Sequence, residues 1–352
     1  MSYTISGIQQ IGLGNPDVQA TFRWYHRHLG MDVKIFEEAA EANLMLPYTA
    51  GEPRSRHAIL ALNLQGGGGL EIWQYTSREP QPPSFEPQLG DTGIFISKFK
   101  CKDIHSAYRQ LQAQEVDLLG KVDFRPNGEA HFYFRDLQGN LVEAVGASDW
   151  FQKGTQAFGG VYGCTIGVSD IDKAKEVYCG ILGYDKVVYD RSGQFDDFRL
   201  LPGGKGEFRR VLLTHEAPRN GAFSPLLGHS EIELVQALNR PARPIFENRL
   251  WGDLGYIHLC FDIRGMEGLR SSCADKGYPF TVDSSNSFDM GEAAGHFSYI
   301  EDPDGTLIEF VETHKVPILK KMNWYLNLKK RKPEKALPRW MIKSLGFNRV
   351  KL

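Results

Sequence analysis

Short stretches in which apolar and polar residues alternate recur along the chain, and four times they give way to a longer stretch of helical period. Alternation at every second residue marks a strand with one buried face, whereas apolar positions three and four apart mark an amphipathic helix. The first unit spans about 5–77: a strand IQQIGLG, a helix VQATFRWYHRHLG closed by Gly30, and a last strand GLEIWQYT. The second, 92–148, runs from GIFISKFKC through a helix HSAYRQLQAQ to LVEAVG. The third, 160–238, runs from YGCTIGVSD through IDKAKEVYCGILG to SEIELVQAL, and the fourth, 253–313, from GYIHLCFDI through MEGLRSSCADKG to LIEFVET. Each unit reads as strand, helix and three further strands.

The units repeat. Residues 131–143 read HFYFRDLQGNLVE and residues 296–309 read HFSYIEDPDGTLIE. Both are a strand rich in aromatics, a tight Asp-x-x-Gly turn and a strand carrying a glutamate, Glu143 after Asp136 and Glu309 after Asp302. Asp and Gly suit a tight turn, so both turns read as architecture. Units one and three share their openings, which end at Asp17 and Asp170. The expectation is an α+β chain of four βαβββ modules forming two half-barrel domains, residues 1–149 and 160–314, joined by a linker at 150–159.

Residues 315–352 lie outside the repeat. They carry twelve Lys/Arg against the single acid Glu334, so a tail of charge +11 hides in a net charge of −2. Its interleaved Trp324, Tyr325, Leu326, Leu328, Trp340, Met341 and Ile342 suggest one or two amphipathic helices broken near Pro333 and Pro338. Such a tail reads as a docked extension, or as contact with an anionic membrane surface or an acidic partner. The acidic body argues against nucleic acid. No apolar run reaches the length of a membrane helix, the N-terminus shows no signal peptide, and the five cysteines form no CxxC. Free thiols in a reducing, cytoplasmic setting are therefore expected. Gly66–Gly69 precede a strand, not a helix, and so mark a hairpin rather than a phosphate loop.

With its fourfold repeat, the helix endings HLG and ILGY, and DPDGTLIE, the chain resembles the vicinal oxygen chelate superfamily, which includes glyoxalase I and extradiol dioxygenases. The resemblance covers residues 5–313 and implies one ligand position on the first strand of each module and one on the fourth. Those positions hold Gln10 and Glu71, Ile96 and Glu143, Gly163 and Glu233, and His258 and Glu309. Pairing modules one and four gives the set Gln10, Glu71, His258 and Glu309, similar to that of glutamine-bearing glyoxalases I. Modules two and three are left with Ile96, Glu143, Gly163 and Glu233, an incomplete set. Oxygen and nitrogen ligation without thiolate suits a divalent first-row ion: Zn, Ni, Co, Mn or Fe.

Each of these residues also has a structural reading. A mid-strand His is often a core residue, and Glu71 or Glu309 in an apolar strand needs only some cationic partner. Strand alternation places Trp73 and Tyr75 on the face of Glu71, and Tyr299 and His296 lie upstream of Glu309; all four are candidate substrate-binding residues. The resemblance implies a metal-dependent isomerase or lyase acting on a small oxygen-chelating substrate through an enediolate, with Glu309 as general base and Glu71 returning the proton. Glutathione-dependent relatives carry Arg, Asn and Arg where this chain has Gly14, Tyr75 and Leu254. A more apolar or aromatic small-molecule substrate is therefore expected. The alternatives are an Fe(II)-dependent ring-cleaving dioxygenase and a non-catalytic binding protein. Four modules in one chain can supply a whole site, so a monomer suffices.

Overall fold

The computed structural model describes residues 2–352 except 286–287, 291–292, 320–323 and 330. Module one holds β1 (Thr4–Gly14), α1 (Val18–Leu29), β2 (Val33–Glu41), β3 (Ser55–Leu62) and β4 (Gly69–Tyr75). Module two holds β5 (Gly93–Cys101), α2 (Ile104–Ala113), β6 (Leu118–Phe124), β7 (Ala130–Arg135) and β8 (Leu141–Gly146). Module three holds β9 (Phe158–Gly167), α3 (Ile171–Tyr178), β10 (Lys186–Gly193), β11 (Phe208–Thr214), a short α4 (Ser224–Leu227) and β12 (Glu231–Ala237). Module four holds β13 (Gly255–Arg264), α5 (Met266–Asp275), β14 (Val282–Asp283), β15 (Phe288–Met290), β16 (Ala293–Glu301) and β17 (Leu307–Thr313).

The switch from strand to helix has a local cause. Asp17 caps α1, accepting hydrogen bonds from the N–H groups of Gln19 and Ala20 at 3.0 and 2.9 Å. Asp103 and Asp170 cap α2 and α3 in the same way. Each carboxylate satisfies N–H groups that the first helical turn leaves without partners. Gly30, at φ 66°, closes α1 in the left-handed conformation that glycine adopts without steric cost.

The sheets join the chain's outer modules and its inner ones. β1 pairs antiparallel with β13, so one sheet runs β14-β16-β17-β13-β1-β4-β3-β2, with β15 beside β16. β5 pairs antiparallel with β9, and the second sheet runs β10-β11-β12-β9-β5-β8-β7-β6. Modules one and four thus share one sheet, and modules two and three share the other. A single buried cluster spans both, in which helix residues Phe22, Tyr25, Val177, Tyr178 and Leu269 pack with strand residues such as Ile11, Ile166, Leu259 and Phe310.

The Asp turns tie the modules together in the other direction. Asp136 accepts from the N–H groups of Gln138 and Asn140, and Asp302 from those of Asp304 and Thr306. Each also accepts a hydroxyl from a buried tyrosine in the preceding module's helix, Tyr25 and Tyr178 respectively, both at 2.9 Å. These bonds link module one to two and three to four, across the grain of the sheets.

The tail departs from its expected helices. Lys315–Leu319 (β18) and Trp324–Asn327 (β19) pair as a hairpin, and among the described residues of the tail only Arg339–Lys343 (α6) is α-helical. Pro317 and Pro333 lack the N–H that a continuous helix would need there. Leu328, Leu337, Ile342 and Leu345 are buried against Val33, Leu62, Leu64, Phe151 and Leu226. Arg349 pairs with Asp32 at 2.9 Å. Among the described residues no helix is long and apolar enough to cross a membrane.

Candidate metal centre

The pairing of β1 with β13 sets Gly12 opposite His258 and Gln10 opposite Cys260, while β4 sets Glu71 beside Gly12 and β17 sets Glu309 beside Cys260. Four adjacent strands thereby bring Gln10, Glu71, His258 and Glu309 together. A side chain at Gly12 would put its Cβ 2.4–2.8 Å from the His258 ring atoms. The imidazole can lie across β1 only because that position is glycine.

His258 Nε2 stands 3.1 Å from Glu309 Oε2 and 3.3 Å from Glu71 Oε2. Ligand atoms of these three residues all lie within 4.8 Å of one another. Gln10 Nε2 donates to Glu71 Oε2 at 3.1 Å. Both ring nitrogens of His258, Glu309 Oε2 and Gln10 Oε1 are buried without a hydrogen-bond partner. The carboxylates crowd Nε2 at ion-pair distance without hydrogen-bond geometry, as acceptors converging on one point would. Orphaned polar atoms in a protein interior are costly, and a cation bound among them would satisfy His258 Nε2, Glu309 Oε2 and Gln10 Oε1.

The electrostatics agree. Burial lowers the pKa of His258, but Glu309 and then Glu71 outweigh it and push the value up to about 9. Burial raises the Glu71 carboxyl, and the neighbouring His258 more than compensates, holding it below its ordinary value. Burial, with the Glu309 charge beside it, drives the Cys260 thiol well up.

Aromatic rings enclose the cluster. Tyr299 meets the His258 ring edge-on at 5.6 Å between centroids, and Trp251 stacks parallel to it at 6.4 Å. Burial, then the charges of Glu309 and Glu71, drive the Tyr299 phenol well above its usual range, so it stays protonated. Trp73 packs edge-on against both Trp251 and Tyr75, and the Tyr75 hydroxyl donates to the Trp251 carbonyl. Trp73 and Tyr75 are buried and pack against the Trp251 segment. Trp251 comes from the irregular segment before β13, where no periodicity marks it.

His296 is not brought to the cluster. In β16 Tyr299 pairs with Glu309 but His296 pairs with Glu312, an odd number of residues away and so on the opposite face. Its Nε2 lies 2.6 Å from Asp283 Oδ1.

The second sheet resolves the same problem with its own residues. Glu143 and Glu233 occupy the places of Glu309 and Glu71, beside Lys98 and Thr165. Lys98 Nζ reaches Glu231 and Glu233 at 2.9 Å and Glu143 at 3.2 Å. Arg125 Nε donates to Glu143 at 2.9 Å, and Arg210 binds Glu233 and Asp197 at 2.7 Å. Burial and Arg125 would lower the Lys98 pKa, but the three glutamates raise it, so the ammonium stays charged. Against burial, the cations hold Glu143 well below its ordinary value. An ammonium thus takes the role of a cation where Ile96 and Gly163 provide no ligand. In the first sheet, by contrast, the ion-pair partner of both Glu71 and Glu309 is His258.

No curated protein matches the chain. Among solved structures, a Bacillus subtilis protein described provisionally as a dioxygenase superposes with a TM-score of 0.54 at 15% identity, covering 88% of this chain and 86% of its own. Glyoxalase I from Zea mays gives a TM-score of 0.51 at 10% identity, over 88% of this chain and 92% of its own. At these identities the likeness shows the fold alone. The profile of the Glyoxalase/Bleomycin resistance protein/Dioxygenase superfamily matches residues 7–144 and again 162–310, most of the chain. With two matched repeats and two sheets each built from two βαβββ modules, the chain belongs to the Glyoxalase/Bleomycin resistance protein/Dioxygenase superfamily.

Proposed function

We propose that this chain is a metal-dependent lyase or isomerase of the glyoxalase type, acting on a small oxygen-chelating substrate of apolar or aromatic character. Proteins of this superfamily are typically metal-dependent enzymes. One contrast carries the reading: equivalent glutamates are paired with Lys98, Arg125 and Arg210 in one sheet, whereas in the other their ion-pair partner among the described residues is His258. Gln10, Glu71, His258 and Glu309 would hold one divalent first-row cation. Bound there, such an ion supplies Lewis-acid polarisation of two neighbouring substrate oxygens, which acidifies the adjacent C–H.

The chain's own groups do the proton work. The Glu309 carboxylate, leaving the ion or staying beside it, takes the carbon-bound proton, and Glu71 returns one from the other side. The Tyr299 hydroxyl, protonated across the working range, is available as a donor to a developing oxyanion. Trp251 and Tyr299 flank the His258 ring and keep water from it. Gly14, Tyr75 and Leu254 provide no anchors for glutathione carboxylates, which favours a smaller and less charged substrate.

Elemental analysis of the purified protein tests the centre. About one divalent ion per chain is expected, with loss from His258→Ala and Glu309→Ala; equal metal content in the variants would refute it. Glu309→Gln should keep the fold and lower turnover at least ~100-fold, and unchanged turnover would remove Glu309 as the base. Oxygen uptake with catechols or hydroquinones would move the reading to ring cleavage.

A further inference from the structure

A second cavity lies beside the metal centre but is lined by none of its four candidate ligands. Its volume is about 380 Å³, within the range of small-molecule sites. It sits at the seam of the two sheets: Ile94 comes from β5 of one, Ile257 and Leu307 from β13 and β17 of the other, and Phe246, Arg249 and Trp251 from the segment between modules three and four. Trp251 is shared, for it lines this cavity and also stacks on His258.

The walls are mainly apolar and aromatic, with one strong exception. Arg249 spends three hydrogen bonds on backbone carbonyls, those of Ile245, Leu254 and Gln81, and its Nε is buried without a partner. Its hydrogen-bond partners are carbonyl dipoles rather than carboxylates, and the nearby carboxylate, Asp253, is itself bound by Arg78 and by the N–H groups of Gln81 and Leu250. The guanidinium also lies over the Phe246 ring at 4.1 Å, which fixes its plane. Two further wall residues carry buried, unbonded polar atoms, Trp251 Nε1 and Thr306 Oγ1, and a turn about its Cα–Cβ bond would bring the Thr306 hydroxyl to a bound anion. The acidic residue at the wall, Asp304, commits an oxygen to the Ser169 N–H at 2.8 Å. A half-buried guanidinium in an apolar cavity favours an anion, and a planar carboxylate matches its fork.

We propose that this seam cavity is a binding site for a small aromatic or branched aliphatic carboxylate, whose anionic end meets Arg249 and whose apolar body lies among Phe246, Trp251, Ile94 and Leu307. A ligand there would share the Trp251 wall with the metal centre. The site does not depend on a metal, so it stands or falls separately from the reading of the neighbouring centre.

The test uses the full chain stripped of metal by a chelator, so that no ion can bind the probe. Phenylacetate and its neutral counterpart 2-phenylethanol are titrated by ligand-observed NMR and by tryptophan fluorescence. Phenylacetate should bind saturably and at least about tenfold more tightly than 2-phenylethanol, since a charge-assisted hydrogen bond is the difference. Arg249→Met should remove that preference while leaving 2-phenylethanol unchanged. Thr306→Val, which keeps Arg249 and the backbone N–H held by Asp302, should weaken phenylacetate several-fold. It serves as the deciding variant if Arg249→Met loses its native circular dichroism. Absence of saturable binding, equal affinity for the neutral probe, or no loss in Thr306→Val would each overturn the assignment.

Discussion

His258 shows how neighbouring charges prepare a ligand. With two carboxylates beside it the imidazole holds its proton up to about pH 9, yet only the neutral ring can donate a lone pair to a metal. Metal binding at pH 7 should therefore release about one proton, and affinity should rise with pH until about 9 and then level off. Calorimetry in two buffers of different ionisation enthalpy measures the release, and heats independent of buffer would contradict it. Asp262, four residues along the same strand, shows the opposite economy. Burial pushes its carboxyl up to about 7, and its Oδ2 has no partner. Since the folded value lies above the unfolded one of roughly 3.9, the native state binds more protons between these pH values, and stability falls as pH rises through that window. Asp262→Asn should thus stabilise the protein at pH 8 by on the order of 2 kcal/mol and change little at pH 3. Urea denaturation at the two pH values distinguishes this from a pH-independent effect.

At the scale of strands, β5 carries the clearest consequence. Lys98 is fully buried among Glu143, Glu231 and Glu233, and removing one partner of a buried charge group strands the others. Lys98→Met should cost about 3–5 kcal/mol in denaturant melts, far more than a surface lysine. A loss below ~1 kcal/mol would mean that Arg125 and Arg210 suffice. Much of this was legible in the sequence. Period-two strands, the caps Asp17 and Asp170 and the turns at Asp136 and Asp302 all announce the modules, because backbone geometry limits what can stand there. Which modules share a sheet is written in no single element; the pairing of modules one and four rests on the resemblance, which makes Gln10, Glu71, His258 and Glu309 one ligand set. The role of Lys98 was harder to read, since a lysine mid-strand in GIFISKFKC is ordinarily a solvated one. Placing His296 in the site was avoidable: an odd separation from Tyr299 puts the two on opposite faces. Trp251 gave no signal at all, as irregular segments have no period to betray their buried side.

For the whole molecule, the decisive feature is that each half of the chain contributes to both sheets. Cut between the halves, residues 1–149 would expose the edges of β1 and β5, which normally pair with β13 and β9. Unpaired edges recruit other chains. That fragment alone should self-associate, and adding residues 150–352 should convert it to a defined complex, as sedimentation would show; a folded monomeric fragment would contradict this. The pairing of β1 with β13 has a further consequence in the order of synthesis. A ribosome delivers Gln10 and Glu71 first, and His258 and Glu309 only near the end. Until then the opening strand must wait with one edge bare, while the inner modules can already close on each other. Chelation by the four residues would come last, so a molecule loaded at this centre would be, by construction, one whose translation passed Glu309.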